Sequence, residues 1–480
     1  AYALDMLTLG TRNWKLLKLT RAALYYIEGA NFQYGRDGYS LAGFVPKYGF
    51  PEGVQLDLAS FAKMKISGEK LSKQDTFDQQ KGIPHLFSEW KLQGLTLRNR
   101  VIKEATFEAC CDSEGVPTME LLKFHGAVAK GGAALTTVAY ASVSPDGRSF
   151  ETQLLMGHAS APRLRELTKI VHGHGAKAMV QLTHAGSFAD REVIGQQQIS
   201  ASAVFNPAGV DFAREVSLHN IERVGDDFAK AASLALECGF DAIQGHCGHG
   251  YLLSQFLSPF SNGHLDRYGC LSVSDRVRFP MEVLGKVRAA VGPCVPIVVK
   301  CNLSDGFDGG ITLEQAIAFA QCLDRSGLVD LLIPSGGWVS RNGFFMLRGD
   351  VPLANMVKAQ KKSLFKRIAL RLLGPCLVPH IEWTPSFFET DAMALLAHMR
   401  TTPVCLLGGI NSLGAMERAM ANGFAAVALA RALLREPDFL LRLQVNIGKE
   451  SHKESLCSHC NECIVVSAMA ENPLRCVEMW

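Results

Sequence analysis

Residues 239–251 read GFDAIQGHCGHGY: a glycine, a short apolar run, and directly behind it two histidines and a tyrosine. Gly takes the left-handed conformation that closes a helix at little cost, and an unbroken apolar run suits a strand buried on both faces. The same order recurs along the chain. Gly131-Gly132 precedes Ala133–Val138, Gly175 precedes Met179–Leu182, and Gly292 precedes Ile297–Val299. Gly327 precedes Asp330–Ile333, and Gly423 precedes Val427–Leu429. Arg100–Thr106 and Pro403–Leu407 fill the two gaps in the rhythm, which makes eight strands with Asp241–Ile243. Helices fit between them. Thr312-Leu313-Glu314-Gln315 is a capping box opening a helix to Gly327, and Asp226–Cys238 repeats apolar residues on one helical face. Eight strand–helix units in ~350 residues predict an α/β chain folded as a (β/α)8 TIM barrel. A doubly wound open sheet is the alternative, but it wants a Gly-rich fingerprint after the first strand, which is lacking.

The whole chain is consistent with that reading. It has 480 residues, 48% hydrophobic and 20% charged, which excludes a disordered protein. Its charge balance, 49 − 46 = +3, is too even for a dedicated nucleic-acid binder. No apolar run reaches the ~18 residues of a membrane-spanning helix. Of the 14 cysteines ten are scattered, several inside apolar runs, so no disulfide framework is expected. Reduced thiols point to an intracellular, reducing compartment, and together with a start at Ala1 are compatible with an organelle matrix such as the mitochondrion. Three regions are expected. Residues 1–85 form an N-terminal extension with a basic amphipathic stretch, Asn13–Ile27, that serves to pack on the main domain or to dock protein partners or a membrane surface. Residues 86–445 form the barrel, and 446–480 a Cys-rich C-terminal segment. The long connection from Trp338 to Pro385 reads as a lid or interaction element.

Chemistry in such a barrel sits at the C-terminal ends of the strands. The fourth strand ends in His246, His249 and Tyr251. His-x-x-His is half of a metal site, but two neutral imidazoles can also donate hydrogen bonds to a carbonyl oxygen, and a tyrosine can supply a proton. The fifth strand ends in Lys300, which needs an anion or an electron-rich partner, or a structural ion pair with Asp305. Gly408-Gly409 and Ala430-Arg431, after strands seven and eight, have the makings of a phosphate site. Gln181 on strand three can pair with donor and acceptor atoms of a heterocycle edge.

The run from Gly239 to Phe279, with its Leu-Ser-Pro segment, resembles the signature of the old yellow enzyme family, the FMN-dependent NADH:flavin oxidoreductases. LRNRVIKEATFE from Leu97, TTVAYASVSPDGR from Thr136, VQLTHAGS from Val180 and GFAAVALARALLREPDF from Gly423 extend the resemblance over roughly residues 86–480. It implies bound FMN seated on Ala105, Thr106, Gln181 and Lys300, with the phosphate on Gly408, Gly409, Ala430 and Arg431. His246 and His249 would hold a substrate carbonyl and Tyr251 would give a proton. The implied reaction uses NAD(P)H to reduce an activated alkene or related small electrophile. The chain departs from the family pattern at Phe107, where many relatives carry Thr or Cys, and at Gln244, where Glu is usual. Asp275-Arg276 replaces the usual Asn-Arg. A second reading is an enzyme-derived accessory subunit of a larger, organellar and membrane-associated complex, docked through residues 1–85.

Cys457, Cys460 and Cys463 are followed by Cys476, a set that can hold a [4Fe–4S] cluster or, less readily, zinc, or remain free thiols. His459, between two of the cysteines, adds a zinc donor. The trimethylamine dehydrogenase and dienoyl-CoA reductase branch carries a cluster at a similar spacing, and a cluster in this chain would need an outside electron partner.

Overall fold

The computed structural model describes residues 85–480 except 208, 210, 270, 271, 361–363, 447–452 and 480. The expectation of an N-terminal docking or packing arm falls on residues 1–84 and lies outside the described residues.

Eight parallel strands form the barrel: β1 (Val101–Lys103), β2 (Leu135–Ser142), β3 (Lys177–Thr183), β4 (Ala242–Cys247), β5 (Ile297–Asn302), β6 (Leu331–Ser335), β7 (Cys405–Leu407) and β8 (Ala426–Leu429). They are paired in sequence order around the ring, with β1 beside β8. A parallel bridge, Leu332 to Val404, closes the ring between β6 and β7, with the Leu332 N–H donating to the Pro403 carbonyl at 3.0 Å. All eight expected strands are present. A hairpin, Trp90–Leu92 with Leu95–Leu97, packs its leucines against inward residues near the strand starts: Ile102, Leu135, Met179, Ala242, Val298 and Leu331.

The pleat then decides what faces the mouth. Side chains alternate along a strand, so residues two beyond these inward positions also point into the barrel. They are Glu104, Gln181, Gln244 followed by His246, Lys300, and Ile333 followed by Ser335. The intervening Val101, Val180, Ile243 and Val299 face outward into the hydrophobic layer under the helices.

Helix boundaries follow the local signals with one difference. Thr312 caps Leu313–Ser326 by accepting from the Gln315 N–H (3.5 Å), and Gly327 ends it at φ +65°. The helix expected from Asp226 instead runs over Leu218–Glu237, capped by Ser217. Gly225 reads locally as a break, yet it sits inside the helix because the stem of Lys286 crosses there: a side chain's Cβ would lie 3.2 Å from it. The connection after β6 folds into the helices Val339–Asn342, Phe344–Leu347, Leu353–Ala359 and Leu364–Leu377. Val339, Gly343, Met346, Leu347 and Trp383 from this insertion wall the barrel mouth, while Arg367 and Arg371 face solvent. Among the described residues no helix is long and apolar enough to cross a membrane.

Candidate active site

A cavity of about 290 Å³ opens at the C-terminal ends of the strands. It is lined by Ala105, Thr106, Gln181, His246, His249, Tyr251, Lys300, Gly408, Gly409, Ala430 and Arg431, every catalytic and cofactor-binding residue expected from the sequence.

At one side stand the imidazoles and the phenol. The Gly248 N–H donates to His246 Nδ1 (3.2 Å), so the neutral ring carries its proton on Nε2, where it can donate into the cavity. His249 adopts a positive φ of 61°. Its N–H donates to Asn302 Oδ1 (3.0 Å), and its Nε2 is 2.8 Å from Ser335 Oγ. Burial, with His249 and Lys300 nearby, holds His246 well below the usual histidine range, and burial with Lys300 does the same to His249. Tyr251 caps the short helix Leu252–Leu257, its ring 4.7 Å from that of His246 and 5.0 Å from Tyr140. Burial first, and then Tyr140, push its phenol well above 10, so it keeps its proton at neutral pH. Phe107 stacks on Phe150 at 4.5 Å, and Phe150 and Phe188 continue an aromatic wall to Tyr251. This is where the departure at Phe107 leads: the side chain adds an apolar face and no hydrogen bond.

These buried rings carry a cost in acid. Below about pH 6.5 the unfolded chain takes up protons at His246 and His249 that the folded chain refuses until lower pH. Their contribution to stability is therefore fully present above that value and is lost as pH falls. Each refused proton steepens the loss toward a limit of about 1.4 kcal/mol per pH unit, so two approach about 2.7 about a unit below that pH. Denaturant unfolding between about pH 7 and about pH 5 should show this slope, and His246→Asn with His249→Asn should flatten it. An equal slope in that double variant would mean the rings are charged in the fold.

Next to these rings runs a polar chain that sequence reasoning did not find, with Lys300 on β5 paired in register with His246 on β4. Lys300 Nζ lies 2.9 Å from Glu104 Oε1, a buried ion pair. The alternative pairing with Asp305 does not occur, because that carboxylate is taken by Ser258 Oγ (2.6 Å), Asn302 Nδ2 (2.7 Å) and the Ile311 N–H (2.8 Å). Gln244 Nε2 donates to the same Glu104 oxygen (3.1 Å), and Gln181 Nε2 donates to Gln244 Oε1 (2.6 Å). A carboxylate only accepts, so Glu104 fixes the flip of Gln244, which fixes that of Gln181. The signal for Glu104 was available: like Lys300, it is a charge at the end of an apolar strand.

Gly408 and Gly409 turn the backbone on the cavity wall at φ +105° and +71°. A Cβ at Gly408 would lie 2.5 Å from the Phe388 ring, and one at Gly409 would lie 2.7 Å from Phe387, so only glycine fits. Arg431 reaches the same wall, but its guanidinium donates to the carbonyls of Leu347 and Arg348 and to Asn461 Oδ1. Two of its five N–H donors remain for a ligand among the described residues. The set fits FMN: a polar amide edge with a cation, an apolar middle of Leu407, Ala428 and Met346, and a Gly-Gly-Arg end for phosphate.

The C-terminal thiols do not form a metal site. Cys457, Cys460, Cys463 and Cys476 border one cavity of about 20 Å³ with Arg431, room for about one water molecule. Among the described residues no group of three or more His, Cys, Asp or Glu side chains is placed to hold a metal ion. His459, the other expected zinc donor, stacks on Trp383 at 3.7 Å instead. The residues as placed fit neither a [4Fe–4S] cluster nor zinc.

The chain is 40% identical over 381 residues to a 4,4'-dithiodibutanoate disulfide reductase of Rhodococcus erythropolis, covering 79% of this chain and 92% of that one. It is 28% identical to an NADH oxidase of Thermoanaerobacter brockii over 403 residues, 82% of this chain and 56% of that one. In fold it is similar to a 2-naphthoyl-CoA reductase in complex with 2-naphthoyl-CoA (TM-score 0.70, 20% identity, 82% of this chain and 56% of that one). It is also similar to the old yellow enzyme homologue of Zymomonas mobilis (TM-score 0.60, 22% identity, 75% and 93%). The sequence profile of the NADH:flavin oxidoreductase / NADH oxidase family matches residues 85–332, and the chain belongs to that family, an NAD(P)H-linked flavin oxidoreductase of old yellow enzyme type.

Proposed function

We propose that the chain uses FMN and NAD(P)H to reduce the carbon–carbon double bond of a small α,β-unsaturated carbonyl compound. The observation that carries this reading is that His246, His249 and Tyr251, whose burial favours their neutral forms, line one cavity together with Gln181 and Lys300. Bound FMN would supply a two-electron carrier between the nicotinamide and the electrophile. Gln181 and Lys300 would orient its pyrimidine edge, and Gly408, Gly409 and the remaining donors of Arg431 its phosphate. His246 Nε2–H would hold the substrate oxygen and polarise the alkene. Ser335, bonded to His249 Nε2, orients the second ring beside it. Tyr251 would then deliver a proton to the α-carbon as hydride reaches the β-carbon. The buried phenol keeps that proton at neutral pH and gives it up only to a developing carbanion.

A disulfide is the second acceptor class, favoured by the 40% identity to a disulfide reductase over nearly the whole of that protein. There Tyr251 would protonate a leaving thiolate. The two are separated by one experiment. The purified chain should carry a flavin released by heat, and should oxidise NAD(P)H anaerobically in the presence of 2-cyclohexenone or of 4,4'-dithiodibutanoate. Turnover of the enone supports alkene reduction, and turnover of the disulfide alone replaces it with the second reading. A chain that takes up no flavin would defeat both. An intracellular, reducing location is proposed with it, on the absence of disulfides among the described cysteines.

A further inference from the structure

We propose that Glu104 is a positioning residue that sets the redox potential of the cofactor by neutralising Lys300. The inference rests on the flavin reading above. Three features carry it. Glu104 and Lys300 are both almost wholly buried and both line the cavity, so solvent screens neither charge. One carboxylate oxygen, Oε1, takes both Lys300 Nζ (2.9 Å) and Gln244 Nε2 (3.1 Å), while the other, Oε2, has no hydrogen-bond partner and is buried. The two residues also come from opposite strands of the ring, β1 and β5, meet across its interior, and connect through Gln244 to the amide of Gln181.

The consequence is a matter of charge. Lys300 alone would present a full positive charge to whatever occupies the amide edge, and would favour the more negative, reduced form of a flavin. Paired with Glu104 it presents a dipole with no net charge. The pair thus holds the cofactor potential lower than a lone lysine would, which favours passing electrons on over retaining them. Glu104 acts through Lys300 and through the amide flips of Gln244 and Gln181, not by touching substrate.

Substitution gives four versions of the pair with three charge states. The pair is neutral as it stands, positive in Glu104→Gln, negative in Lys300→Gln, and neutral again in the double variant. Spectroelectrochemical titration of the FMN-loaded proteins reads them directly. Glu104→Gln should shift the reduced-to-oxidised ratio at fixed poise at least tenfold toward reduced, about 30 mV for a two-electron couple. Lys300→Gln should shift it the other way, and the double variant should return near the starting value. Glu104→Gln with Gln244→Glu moves the carboxylate to its neighbour and should also restore the potential; it serves if Glu104→Gln alone does not retain FMN. Shifts of the same sign, or none, in the two single variants overturn the role of Glu104 while leaving FMN binding intact. Failure of the unsubstituted chain to bind FMN overturns the flavin reading and this inference together.

Discussion

Replacing Tyr251 with Phe should slow alkene reduction by ~10²–10⁴-fold, the range a positioned general acid contributes. Reduction of the flavin by NAD(P)H should stay within about twofold of normal, because that half-reaction needs no proton from the phenol. The asymmetry follows from the site. The Tyr251 ring is buried, packed between Tyr140 and His246, and its phenol holds its proton well above pH 10. Phe fills the same space against the same rings, so the aromatic wall with Phe188 persists and only the proton is lost. Stopped-flow measurement of the two half-reactions separates them, and equal slowing of both would mean that Tyr251 shapes the cavity and does not donate.

The second large effect is expected at His246. His246→Ala removes the Nε2–H proposed to hold the substrate oxygen and should lower alkene reduction by ~10²–10³-fold, as loss of one oxyanion-type donor does. His246→Asn should recover part of this, since an amide N–H can donate from a similar place, whereas His246→Leu should not. The pattern depends on the tautomer: the Gly248 N–H on Nδ1 leaves the proton on Nε2. Were Leu to perform as well as Asn, packing rather than hydrogen bonding would be the role of this ring, and the carbonyl-binding reading of the pair would fall with it.

Much of the site was legible because barrel strands obey a simple alternation. Once Ile102, Met179, Ala242 and Val298 face inward, the residues two further on must do so too, so a polar residue there stands at the mouth. Gln181 and Lys300 were read from the sequence as residues at the ends of apolar strands, and the alternation agrees. Glu104 obeys the same rule but follows Lys103, so one charge points out and the next points in, and neither names its partner along the chain. In fact Lys103 is fully buried on the outer face, held by Glu108 at 2.8 Å. Ser335 was silent for another reason: a serine at a strand end has no signal until its partner, His249, is brought to 2.8 Å.

Sequence alone settled the barrel and the identity of the groups after the fourth strand, because glycine caps, apolar runs and the His-Cys-Gly-His-Gly-Tyr order are interactions among near neighbours in the chain. Tertiary structure alone decided which charges meet. Lys300 pairs with Glu104 and not with nearby Asp305, because ring closure sets β1 opposite β5 while the loop around Asp305 consumes its own carboxylate. It decided the fate of the C-terminal cysteines as well. Their spacing permits a metal, but whether side chains converge on one point is set by packing, and among the described residues no group of three or more does so.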